Sequence, residues 1–148
     1  MKNEMTLQIK AISQNESFAR STVAAFCAQA NPILEDIIDI KTAVSEAVTN
    51  CVVHAYPNNV GNIKIHATIK DNIIKISVTD FGIGISDTNK AREPFYTTKP
   101  EEERSGMGFT VMESFMDTLE IKNNTRGLTI IMTKKLTNAE ECKMVVND

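Results

Sequence analysis

The sequence predicts an α/β two-layer sandwich, a mixed and mainly antiparallel sheet covered on one face by three helices. Three observations carry that expectation. Short runs of period-two alternation recur along the chain, the mark of half-buried strands. Apolar residues at helical spacing separate the first run from the next and return before the last pair. A length of 148 residues suffices for one domain with a real core and is too short for two, so residues 1–148 are expected to form a single domain.

The first alternating run, MTLQIKAI, predicts a strand over about residues 5–12. NESFARSTVAAFCAQA then shifts to helical spacing through Phe18, Val23, Phe26 and Cys27, with Asn15 as N-cap and a stop at Asn31-Pro32. A longer helix follows over about residues 34–55. PNNVGN reads as a turn, and NIKIHATI and IIKISVTD read as a hairpin around Lys70-Asp71-Asn72, with Ile63, Ile65, Ala67 and Ile69 sharing a buried face with Ile74, Ile76 and Val78. From Asp80 to Ser105 the apolar periodicity fades, a stretch too long for an ordinary connection. It is expected to act as a lid, with residues of about 87–105 at its centre. A helix over about Gly108 to Met116, the hairpin TLEIKN and GLTIIMTKKL, and a polar tail over about 137–148 complete the reading.

Composition excludes some functions. A net charge of -3 supplies no basic field, so direct nucleic-acid binding is not expected. No segment approaches the roughly 18 continuous apolar residues of a membrane span, and no signal peptide opens the chain, so a cytoplasmic protein away from membranes is expected. Cys27, Cys51 and Cys142 are odd in number and lack CxxC spacing. They are expected as reduced thiols, Cys27 and Cys51 serving as small hydrophobes.

SEAVTNCVVHAY is the most informative stretch. On a helix it puts Val44, Val48, Val52 and Ala55 on the core side and lines up Glu46, Asn50 and His54 on the other, without the Lys or Arg that a solvated face usually mixes in. Four of the six glycines then fall in two spaced pairs, Gly82 and Gly84 in DFGIG, and Gly106 and Gly108 in SGMGF. Such spacing lets backbone N–H groups face a ligand, and the second pair opens a helix, where an anion such as phosphate is favoured. Walker A and GxGxxG patterns are both lacking.

The order Glu46-x-x-x-Asn50, Asp80-x-Gly82-x-Gly84, a lid with EPFYTTKP, and Gly106-x-Gly108 resembles the N, G1 and G2 boxes of the GHKL ATPases, whose nucleotide-binding architecture is the Bergerat fold. Within that superfamily SQNESFAR, SEAVTN, FYTTKP and ERSGMGFTVME look most like the anti-sigma serine kinases of spore-forming bacteria. Phe81 and Tyr96 depart modestly from the family pattern. The resemblance implies ATP and ADP as ligands with Mg²⁺ as cofactor. Asn50 offers the metal a hard, neutral oxygen, and Glu46, one turn earlier, is placed as general base. Asp80 continues the buried face of Ile74, Ile76 and Val78. It therefore needs a donor, which the adenine amine can supply, and Thr129 is a second candidate contact to adenine.

Phosphate contacts are expected from Thr97, Thr98, Lys99, Arg104 and Ser105, and nucleotide contacts also from Gly82, Gly84, Gly106, Met107, Gly108 and Phe109. The chain has no helical dimerisation domain with a phosphoacceptor histidine, and His54 and His66 lie within the nucleotide-binding framework, so the acceptor is expected on another molecule. The resemblance implies a serine on an anti-anti-sigma protein, a sigma factor as second partner, a homodimer, and Arg20 as a partner contact. Two other functions compete: a sequestering module without catalysis, against which Glu46 argues, and a histidine-kinase-like ATPase, against which the missing dimerisation domain argues. Whether a sporulation (sigma-F type) or a general-stress sigma factor is served is open from these residues.

Overall fold

A computed structural model describes residues 1–85 and 108–142. Its strands are β1 (Lys2–Lys10), β2 (Asn62–Lys70), β3 (Ile73–Asp80), β4 (Thr118–Asn123) and β5 (Leu128–Lys135), and its helices are α1 (Gln14–Ala28), α2 (Leu34–Asn50) and α3 (Gly108–Phe115). The strands form one sheet in the order β1-β2-β3-β5-β4. Every pairing among these strands is antiparallel, in a sheet expected to be mixed and mainly antiparallel.

Alternation sets which face is covered. Ile63, Ile65, Ala67 and Ile69 of β2, Ile74, Ile76 and Val78 of β3, and Leu128, Ile130 and Met132 of β5 are all buried in one cluster with Ile40, Val44 and Val48 of α2, Val23 and Cys27 of α1, and Met112 of α3. Each large aliphatic side chain so buried contributes about 1.5–3 kcal/mol. The opposite face carries Lys64, Lys75 and Lys122 to solvent. Among the described residues, no helix is long and apolar enough to cross a membrane.

Local chemistry moves several boundaries from their predicted places. β1 runs from Lys2, because it pairs with β2 over its whole length from Lys2↔Lys70 to Lys10↔Asn62. Asn15 is not the cap of α1: Ser13 holds that place without a side-chain bond, while the Asn15 amide donates to the Lys10 carbonyl at 2.9 Å. Asp71 and Asn72 both have positive φ, 53° and 61°, the conformation of a two-residue hairpin turn matched to strand twist. The long second helix is α2 continued by a π-helical turn, Cys51–Ala55. Cys51 is fully buried there, and Val52 is partly buried, packed against the core on the side expected for it.

Residues 137–142 begin the segment read as a tail, and they are fastened. Ile33 N–H donates to the Thr137 carbonyl, Pro32 bridges Asn138, and Ala139 N–H donates to the Asn31 carbonyl. The buried Asp36 carboxylate accepts the Thr137 N–H at 2.7 Å. Asp36→Ala is expected to cost roughly 1.5–3 kcal/mol, the usual worth of a hydrogen bond to a charged group. Hydrogen exchange should then show faster exchange of the Thr137 and Ala139 amides, while those of β2 and β3 slow down no less than in the parent at matched stability.

Candidate functional site

The end of β3, the π turn after α2, and the β4–β5 turn meet around one carboxylate. Asp80 is 2% exposed, on the helix-covered face as its alternation with Val78 predicts. Its Oδ1 accepts N–H bonds from Gly82 at 3.1 Å and Leu128 at 3.2 Å. The protein thus supplies donors that the sequence argument had looked for only in a ligand. A carboxylate has about four acceptor positions, so capacity for a nucleobase amine remains. Burial pushes the Asp80 carboxyl up from its ordinary value, and the Gly82 and Leu128 donors oppose that shift.

The DFGIG loop is held on both sides. Ile83 N–H donates to the Ala55 carbonyl at 3.0 Å, and a Cβ on Gly82 would lie 1.9 Å from that same oxygen, so only glycine fits. Gly84 has φ +72°, and next to it the Asn123 side chain bonds both the N–H and the carbonyl of Ile85. Tyr56 completes the frame: its hydroxyl accepts the Phe81 N–H at 2.7 Å and donates to the Asn62 carbonyl at 2.6 Å. Gly127, φ +90°, turns where a Cβ would meet the Asp80 carbonyl at 2.1 Å.

Glu46 and Asn50 are half-buried on α2, one turn apart, and Asn50 directly precedes Cys51. At about 1.5 Å per residue, Glu46 lies roughly 7–8 Å along the axis from Cys51. Glu46 also lines a cavity of about 350 Å³ with Arg20, Ile38, Lys41, Thr42 and Ser45. Arg20, expected on the exposed part of α1, is instead partly buried at this cavity and bonded to Glu16 and Ser17, each at 3.3 Å. Asn50 suits a hard cation that takes most of its ligands from phosphates and water. Among the described residues there is no cluster of three or more His, Cys, Asp and Glu that could hold a metal ion.

Thr129 needs correction. The register pairs Asp80's neighbour Thr79 with Thr129, so both point to the face opposite Asp80, and the Thr129 hydroxyl is bonded to Thr79 at 3.0 Å and to Asn124 at 2.7 Å. Leu128 is the residue of this strand that reaches Asp80, through its backbone N–H. Gly108 and Phe109 open α3 and are buried. Thr97, Thr98, Lys99, Arg104, Ser105, Gly106 and Met107 lie outside the described residues. The sequence reading missed Ala55, Tyr56 and Asn123, whose contacts with the DFGIG loop are long-range and leave no local pattern.

Residues 11–134 match the family model described as a histidine kinase-like ATPase domain. The chain is 53% identical over 142 residues to an anti-sigma F factor of Bacillus licheniformis, covering 95% of this chain and 97% of the relative. It is 54% identical over 141 residues to the anti-sigma F factor of Bacillus thuringiensis strain Al Hakam, covering 94% and 97%. Among solved structures, the RsbU and RsbW domains of a Mycobacterium tuberculosis protein superpose with a TM-score of 0.67 at 21% identity. That match covers 92% of this chain and 32% of the other, and it supports the same fold.

Gly82→Ala tests the clamp on the DFGIG loop. Pushing a methyl against a backbone carbonyl is an overpacking change of roughly 1–3 kcal/mol. Thermal denaturation should show a melting temperature lower by several degrees, and an unchanged value would mean that the loop is not gripped by Ala55.

Proposed function

The chain belongs to the histidine kinase-like ATPase domain family, and on that premise we propose that it is an ATP-dependent protein-serine kinase that is also an anti-sigma factor. The observation that carries this reading is a buried, donor-tied Asp80 beside the end of the very helix that bears Glu46 and Asn50. Asp80 accepts the adenine amine, which selects ATP over a guanine nucleotide carrying an acceptor at that position. Asn50 would hold Mg²⁺ through its side-chain oxygen, and the ion would offset the charge that develops on the phosphates. Thr97, Thr98, Lys99, Arg104, Ser105 and the Gly106–Phe109 stretch complete the phosphate contacts, with Gly82 and Gly84 shaping the base pocket.

In transfer, a serine hydroxyl of an anti-anti-sigma protein attacks the γ-phosphorus. Its proton passes to the Glu46 carboxylate, the bond from the γ-phosphorus to the bridging oxygen breaks, and ADP leaves. Arg20, which lines a cavity with Glu46, contacts the approaching partner in this proposal. The second partner is an RNA polymerase sigma factor of the sigma-F type, held inactive by a homodimer of this chain in the cytoplasm. The name shared by the Bacillus relatives favours the sporulation pathway over a general-stress one.

Two experiments test this. Asp80→Asn should fold and should weaken ATP binding by roughly ten- to a hundredfold in calorimetry, the effect of replacing an ionised acceptor by an amide. Because the accepting form is ionised and the Asp80 carboxyl is raised by burial, parent ATP affinity should fall on acidification at a higher pH than an ordinary carboxylate would give. That step should vanish in Asp80→Asn, and its persistence would move it to another group.

Glu46→Ala should keep ATP affinity and sigma-factor binding, yet lose label transfer from γ-labelled ATP to the antagonist by roughly 10²- to 10⁴-fold. Asn50→Ala should lose both affinity and transfer. Parent protein that binds ATP and sigma factor but never labels the antagonist would establish sequestration without catalysis.

A further inference from the structure

Helix α3 has no basic residue in its last turn, so no cation of its own meets the negative end of its dipole. The sheet supplies one. Lys134 of β5 donates from Nζ to the Phe115 carbonyl at 2.9 Å, and the same ammonium lies 3.4 Å from the Asp39 carboxylate of α2. The two side chains are mostly buried, 12% and 18% exposed. One cation therefore joins β5, the end of α3 and the side of α2. The chain just after α3 is fastened as well: Asp117 N–H donates to the Thr133 carbonyl, and the Asp117 carboxylate accepts the Lys135 N–H.

Asp39 stands on a stripe that the site already uses. At about 100° per residue, Glu46 and Asn50 fall within about 20° of Asp39 around α2. Helix α3 packs against α2, and its first residues, Gly108 and Phe109, belong to the stretch assigned above to the phosphates. An ion pair held largely out of water adds little net stability, because desolvation offsets the attraction, and apolar residues of similar shape often replace one without loss. What such a pair can do better than packed methylenes is hold one orientation.

We propose that Lys134, acting through Asp39, is a positioning residue for the nucleotide phosphates: it fixes the end of α3 on α2 and thereby the placement of the residues that open α3 relative to Asn50. The inference rests on the nucleotide reading of the site. Recognition of the base at Asp80 makes no use of this contact, so the two functions of the site can be separated by experiment.

The test titrates ATP and adenosine, which keeps the base amine and has no phosphate, into the parent, Lys134→Met/Asp39→Leu and Lys134→Arg, by calorimetry for ATP and by NMR for the nucleoside. The double variant removes one charge of each sign and so leaves the net charge unchanged. It should keep the parent's adenosine affinity and weaken ATP by about three- to thirtyfold. Lys134→Arg, which retains the cation and its reach, should bind ATP within about threefold of the parent.

An equal loss of both ligands would make the pair an ordinary structural contact, and an undiminished ATP affinity would leave it without a role at the site; either result overturns the proposal. A parent that binds no ATP overturns the ATP reading itself, a distinguishable failure. Should the double variant not fold, Asp39→Asn decides. It retains the Phe115 bond, removes the ionic tie to α2, and makes the protein less negative, which alone would favour ATP. Weaker ATP binding at unchanged adenosine affinity supports the proposal, and unchanged or tighter ATP binding refutes it.

Discussion

The burial of one carboxylate constrains the rest of the molecule. Leaving a charge out of water costs several kcal/mol unless donors replace the hydration. Asp80 obtains them from the loop that directly follows it and from the start of a strand far away in sequence. Each donor fixes its segment: Gly82 sets the loop after β3, and Leu128 sets the start of β5. The glycines follow from the same crowding, since a side chain at position 82 or 127 would collide with backbone already committed to this arrangement.

Helix and sheet serve different parts of the site. The sheet provides a rigid floor in which Asp80 projects toward the helices because Val78, Ile76 and Ile74 do. The α2 helix carries Glu46 and Asn50 along a partly exposed stripe while its other side is sealed by Ile40, Val44 and Val48. In the proposed function, recognition of the base and handling of the phosphates fall to separate elements, joined where α2 widens into the π turn. Glu46 and Arg20 line one cavity further up the helix pair, so in that proposal the approach of a partner and the binding of a base need not compete for one surface.

Much of this was legible in the sequence because it depends on local periodicity. The alternation of Ile63, Ile65 and Ile69 and the helical spacing of Val44 and Val48 determine burial directly, and both were read correctly. The burial of Asp80 was legible for the same reason. Thr129 was misjudged because its face is set by its pairing with Thr79, a register between distant strands that no local pattern reports. Asn15 and the start of β1 were shifted by competition between equally plausible local bonds, which tertiary pairing resolves.

The strand order has a consequence for the chain's assembly. β3 and β5 are neighbours, yet their pairing Ile76↔Met132 closes a long excursion that contains the glycine-rich loop, α3 and β4. Hairpins such as β2–β3 and β4–β5 can form early from local contacts, whereas closing a long excursion spends chain entropy before any contact rewards it. The Leu128 bond to Asp80 spans 48 residues and exists only after that closure. A half-folded chain emerging from synthesis therefore lacks the completed acceptor, and its capacity to hold a ligand arrives together with the joined sheet rather than ahead of it.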